Sequence, residues 1–131
     1  ILVIDQLRTN KNGDKIYVPV GDTLFSQNKN AVVGIIRNDD EIASSEMTKL
    51  VNSVLHISNE IDGKPILLTS LLKHNSRIEK LIPIGKSDSS VLARIISTNI
   101  GIIVVKEGLI IKKWQRNALG WQMFPKSMSD I

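Results

Sequence analysis

Two continuous apolar runs with a helical stripe between them constrain this chain more than any other feature. The first, NAVVGIIR (Asn30 to Arg37), is rich in β-branched residues, the pattern of a strand covered on both faces. The second, PILLTS (Pro65 to Ser70), has the same character. Between them, from Ser44 or Ser45 to about Ser58, Met47, Leu50, Val51, Val54 and Leu55 recur at helical spacing, and either serine is a candidate cap. IDGK then breaks the pattern. A strand, a helix and a second buried strand in this order form a parallel pair joined by a right-handed crossover.

The flanking sequence is less sharply written. In the first thirty residues ILVID is a candidate short strand, NKNGDK a turn cluster, KIYVPV a strand that Pro19 confines to a sheet edge, and SQNKN a loop. Beyond PILLTS, residues 71–82 are expected to form a short helix with Leu72, Ile78, Leu81 and Ile82 on its apolar side. Asp88 or Ser87 then caps a second short helix, SVLARII, striped by Val91, Leu92, Ile95 and Ile96. GIIVV and LIIKKW are two strands bent at Glu107-Gly108, where the glycine supplies the positive φ of a tight hairpin. The tail, ALGWQMFPKSMSDI, is too broken for more than a turn or two of helix. No repeat or low-complexity segment is present. The expected division is an extension over 1–29, one domain over 30–119 and a tail over 120–131.

Composition narrows the chemistry. With 131 residues, 42% of them hydrophobic, the chain suffices for one domain with a core. Seventeen Lys and Arg against thirteen Asp and Glu leave +4, a thin basis for nucleic-acid binding. The five aromatic residues, two Phe, one Tyr and two Trp, disfavour base stacking as well. There is no cysteine, which excludes thiol redox chemistry, thiolate ligation and disulfides. No apolar run approaches the roughly 20 residues that cross a bilayer, and no secretory signal opens the sequence, so solubility is the expectation. The sequence opens on Ile1 rather than Met, consistent with a processed form or a piece of a longer protein.

The order strand, long helix, parallel strand, further helix and terminal hairpin is that of a thioredoxin fold: an α/β mixed sheet with flanking helices and a C-terminal β-hairpin. Ferredoxin-like and small doubly wound folds share parts of this order. Specific residues carry a closer likeness. LLTS (Leu67 to Ser70), SDSSVLARIISTNIG (Ser87 to Gly101) and VVKEGLIIKKW (Val104 to Trp114), followed by RNAL, match in turn an LTAS strand end, an Asp before LKTIIRSNPG, a KDG turn and a KW. From about Asn30 to Leu119 the chain resembles the thioredoxin-like domain that follows the four-helix membrane part of DoxX-like bacterial proteins.

Two departures bear on function. Redox-active thioredoxin-like proteins carry a CxxC where the central strand meets the long helix; here that junction reads NDDEIASS, Asn38 to Ser45. The family's NPG becomes Asn99-Ile100-Gly101. A non-proline cis bond costs about 2.5–4 kcal/mol, so this loop is expected to be trans and differently shaped.

The resemblance and the absent cysteines together imply a non-catalytic domain acting in protein interaction, with the parent's membrane segment among the candidate partners, and no cofactor or metal is expected. Its binding face would be the vestigial redox site: Asn38, Asp39, Asp40, Glu41, Thr98, Asn99 and Ile100. Asp39, Asp40 and Glu41 also suit the positive end of a helix dipole, or a cation, giving a small-ligand or cation-binding alternative. His56 lies off the main apolar stripe and His74 in a polar turn; no HxxxH or HxH spacing links them. No GxSxG is present. Lys106, Lys112, Lys113 and Arg116, with Lys126, form a basic group that either blunts an edge strand or faces anionic lipid. Trp114 is expected to pack on the hairpin or under the tail, and Trp121 and Phe124 to fold back as a lid or to dock on a missing segment.

Overall fold

Strand β3 (Asn30–Ile36) alternates its side chains between two cores. In the computed structural model, which describes residues 5–9, 11–13, 15–19, 30–38, 43–70, 76–116 and 123–131, Val32 and Ile36 point to one face and Ala31, Val33 and Ile35 to the other, all of them buried. Period-two alternation with both sets apolar is why the sequence reads as one unbroken run. Helix α1 (Ser44–Ile61) covers the first face through Leu50, Val51, Val54 and Ile57. A Cβ on Gly34 would come within 2.8 Å of Val54 Cγ2 and 3.2 Å of Leu67 Cδ1. The glycine thus lets α1 approach the sheet closely.

Strand β4 (Lys64–Thr69) runs parallel to β3, pairing Val33 with Ile66 and Ile35 with Leu68. The predicted strand-helix-strand unit is therefore present. Helix α1 starts one residue after Ala43, whose side chain can accept nothing, and no side-chain cap bond forms. The serine-cap expectation is corrected: Ser44 lies within the helix, where its carbonyl accepts from Thr48 Oγ1 at 3.0 Å. The helix ends at Asp62, left-handed with φ 53°.

After β4 the structure departs from the reading of 71–82 as one helix. Among the described residues the helix is a single turn, α2 (Ser76–Glu79), with Ile78 and Ile82 buried but Leu81 46% exposed; Leu72 and His74 lie outside the described residues. A short strand follows that the sequence did not reveal, β5 (Ile84–Lys86), parallel to β4. Helix α3 (Ser89–Ile95) has Asp88 at its N-cap position without a side-chain cap bond, and the second face is covered by Leu92 and the adjoining Ile96. Strands β6 (Ile100–Lys106) and β7 (Leu109–Gln115) form the hairpin. Glu107 and Gly108 both have positive φ, 53° and 81°, the geometry of a tight primed turn.

Strands β1 (Asp5–Thr9) and β2 (Lys15–Pro19) form an antiparallel hairpin that joins the same sheet through β5. The expected strand ILVID begins in residues outside the described set, and the described strand starts at its last residue. The sheet order is β2-β1-β5-β4-β3-β6-β7, which puts Pro19 on an edge strand as its missing N–H requires. The central strands, with α1 on one face and α3 on the other, form a thioredoxin-like α/β fold. In the tail, Phe124, Met128 and Ile131 pack against the α1-side core. Phe124 folds back onto Trp114, ring centroids 5.4 Å apart, whereas Trp121 lies outside the described residues.

Candidate functional site

Open α/β sheets bind ligands beyond the carboxyl ends of their parallel strands. At that end of β3 the chain leaves through Arg37 and Asn38 and is met by the loop that connects α3 to β6. The two segments are sewn together. Arg37 N donates to Asn99 O at 2.8 Å, Asn38 N donates to Asn99 Oδ1 at 2.7 Å, and Asn99 Nδ2 donates back to Asn38 O at 3.1 Å. One side-chain amide thereby satisfies both polar groups of the Asn38 backbone. The amide is suited to this because it offers a donor and an acceptor side by side.

Neighbouring groups extend the seam. Arg37 Nη1 donates to Ser97 O at 3.0 Å, and its Nε is buried with no hydrogen-bond partner among the described residues. Ser70, at the end of β4, donates its hydroxyl to Arg37 O at 2.5 Å. Gln115 Oε1 accepts from both Ser97 N and Ser97 Oγ. Thr98 Oγ1 donates to Ile100 O at 2.9 Å, closing a local turn. No cis peptide bond occurs among the described residues.

The structure thus brings Asn38, Thr98, Asn99 and Ile100 together. Ile100 is buried in the α1-side core, and the polar groups of Thr98 and Asn99 bond within the loop and its seam. Asp39, Asp40 and Glu41 lie outside the described residues. Arg37, Ser70, Ser97 and Gln115 also build this seam, and sequence reasoning did not single them out. Their available signal was position: each stands at a strand end or in a Ser-Thr-Asn turn, where such side chains bond to backbone.

Of the basic group, Lys106, Lys112 and Lys113 are exposed. Arg116 is set apart from them: it pairs with Glu46 of α1 at 2.8 Å, its side chain only 17% exposed, and lies 4.8 Å above the Phe124 ring. This arginine ties α1, β7 and the tail together. His56 is exposed on α1. Among the described residues no three His, Cys, Asp or Glu side chains gather as metal ligands, and no helix is long and apolar enough to cross a membrane.

Replacing Asn99 by alanine is expected to lower stability by about 1–2 kcal/mol, because the half-buried Asn38 N–H and C=O lose their partner together. Urea unfolding measures the loss, and amide exchange at Asn38 should quicken. An unchanged midpoint would show that water replaces the amide without cost.

No protein-family model matches the chain, and no curated protein matches it. Among solved structures it is similar to copper-bound ScoI of Arabidopsis thaliana, with a TM-score of 0.50 and 11% identity over 88% of this chain and 87% of that one. It is also similar to an uncharacterized conserved protein from Geobacillus kaustophilus, with a TM-score of 0.51 and 11% identity over 90% and 70%. A thioredoxin-like protein from Porphyromonas gingivalis matches with a TM-score of 0.46 and 13% identity over 84% and 76%. Identities this low speak for the fold alone, and that fold is thioredoxin-like.

Proposed function

We propose that the chain is a thioredoxin-like domain without redox chemistry of its own, the soluble part of a DoxX-like bacterial membrane protein, acting by binding protein at the face where β3 enters α1. One observation carries the reading. The junction where redox-active members hold their thiols reads NDDEIASS in a chain without cysteine. The facing loop is held shut there by the two Asn99–Asn38 hydrogen bonds. A dithiol mechanism has no sulfur to use, while the sequence sets three carboxylates, Asp39, Asp40 and Glu41, directly after Asn38, a charge suited to docking a partner. The membrane tether rests on the resemblance from Asn30 to Leu119.

The test is site-specific photo-crosslinking in the source cell. A benzoyl-phenylalanine probe at Asp40 is expected to trap an integral membrane polypeptide, the parent's own four-helix part included. The same probe at His56, exposed on α1, sets the background. If position 40 gives no membrane adduct above that background, the docking reading fails.

A further inference from the structure

The turn-proximal end of the β6–β7 hairpin, at the opposite end of β3 from the Asn38–Asn99 seam, is the largest run of exposed aliphatic side chains among the described residues. Leu109 is 69% exposed, Ile110 49% and Ile111 50%. Their directions differ. Leu109 pairs with Lys106 and Ile110 with Val105, so the two project to opposite faces of the sheet. Ile111 has no partner of its own, because the register shifts between Val104 and Val105 and moves directly to Lys112. Leu109 and Ile110 therefore flank the hairpin end on opposite faces, with exposed Ile111 next along the strand, and the three make an apolar wedge at the tip.

Lysines collar this wedge on both sides. Lys106 and Lys112 lie on the α1 side, Lys113 on the α3 side, and all three are exposed. Glu107 is the one acidic residue between Lys106 and Lys113. Lys112 makes a long 3.5 Å contact to the Ile131 carbonyl. Aliphatic residues at a tip with lysines behind them match the depth profile of an anionic bilayer: acyl chains below, phosphates and carboxylates above.

The competing occupant is another β-strand, since among the described residues nothing pairs with the outer edge of β7. Two features oppose it. The irregularity at Ile111 interrupts the ladder that an added strand would follow, and the adjacent Lys112 and Lys113 place like charges along it. Leu109 and Ile110, on opposite faces of the tip, cannot together face one partner strand.

We infer that the β6–β7 hairpin is a membrane-contact element that inserts Leu109, Ile110 and Ile111 into the headgroup boundary of an anionic bilayer while Lys106, Lys112 and Lys113 engage its acidic headgroups. The inference does not rest on the tethered reading, for it concerns this chain alone and a different end of the sheet.

Co-sedimentation with phosphatidylcholine–phosphatidylserine vesicles tests it, using the full 131-residue chain. The wild type is expected to bind these vesicles and to leave phosphatidylcholine vesicles alone. Neutralising one lysine (Lys112→Gln) should weaken binding about fivefold, and raising salt from about 0.1 M to about 1 M should abolish most of it. The variant Leu109→Ser, Ile110→Ser, Ile111→Ser should lose binding with its circular dichroism unchanged, since all three side chains are exposed. Because the chain lacks cysteine, Ile110→Cys accepts a single environment-sensitive dye, whose emission should shift to the blue on vesicles. Absence of anionic-vesicle binding, equal binding by the triple-serine variant, or an unshifted dye overturns the inference. Self-association that the serine variant abolishes, without vesicle binding, overturns it too and assigns the wedge to a second copy.

Discussion

Trp114→Ala is expected to lower the unfolding free energy by about 3–5 kcal/mol, the range for a large aromatic removed from a packed site. Trp114 is 5% exposed. It sits opposite Ile102 on the hairpin and belongs to the core that α1 covers. Its other flank is the seat for Phe124, which in turn lies under the Arg116 guanidinium. Truncation therefore leaves a cavity and also releases the tail's main aromatic contact. Guanidinium unfolding followed by circular dichroism measures the first effect, and limited proteolysis after residue 123 the second. Phe124→Ala should cost less, because that ring is only half-buried. The two substitutions should couple by about 0.5–1.5 kcal/mol, since the rings touch. A loss below about 1 kcal/mol for Trp114→Ala would mean that the indole fills no real volume in the core.

Leu92→Ala is expected to cost about 2–5 kcal/mol and to loosen one helix more than the rest of the molecule. Helix α3 has seven residues, and within it Leu92 is the buried one. A helix this short is not stable by itself in water, so among the described residues it is held through Leu92, the adjoining Ile96 and the part-buried Ile95, which join the core cluster of Val33, Ile35, Leu68 and Ile103. Amide exchange should rise most over residues 89–96 and in the Ser97–Asn99 loop that α3 delivers to the candidate site. Because Trp114 and Leu92 occupy cores on opposite faces of the sheet, their losses should add to within about 0.5 kcal/mol. Uniform exchange across the whole chain, or strong coupling between the two sites, would contradict a two-sided core.

Part of the candidate site is legible in the order of the residues alone. The sequence places Asn38, Thr98 and Asn99 together once the strand-helix-strand order and the hairpin are recognised, because the order itself carries the two loops to one end of the sheet. That Asn99 spans both backbone groups of Asn38, a residue 61 positions away, is not legible there. An asparagine in a turn is equally suited to bonding its own loop. Arg116 gives the same lesson in reverse. In the sequence it is one of several surface cations, and only Glu46, 70 residues earlier, and Phe124 turn it into a tie between elements.

The sequence by itself determined β3, α1, β4 and the β6–β7 hairpin, since each announces itself through a period of two or of 3.6 residues, or through a turn pair such as Glu107-Gly108. Those signals are local, and burial on both faces of β3 makes them strong. Only the tertiary structure decided the rest. β5 is three residues long, too short to show any period, and it is a strand because β4 and β1 lie on either side with unsatisfied backbone groups to pair. The seat of the tail on Trp114 likewise follows from a partner in another element. Local propensity could not choose among them, because the free energy that selects them comes from burial that exists only after the sheet has formed.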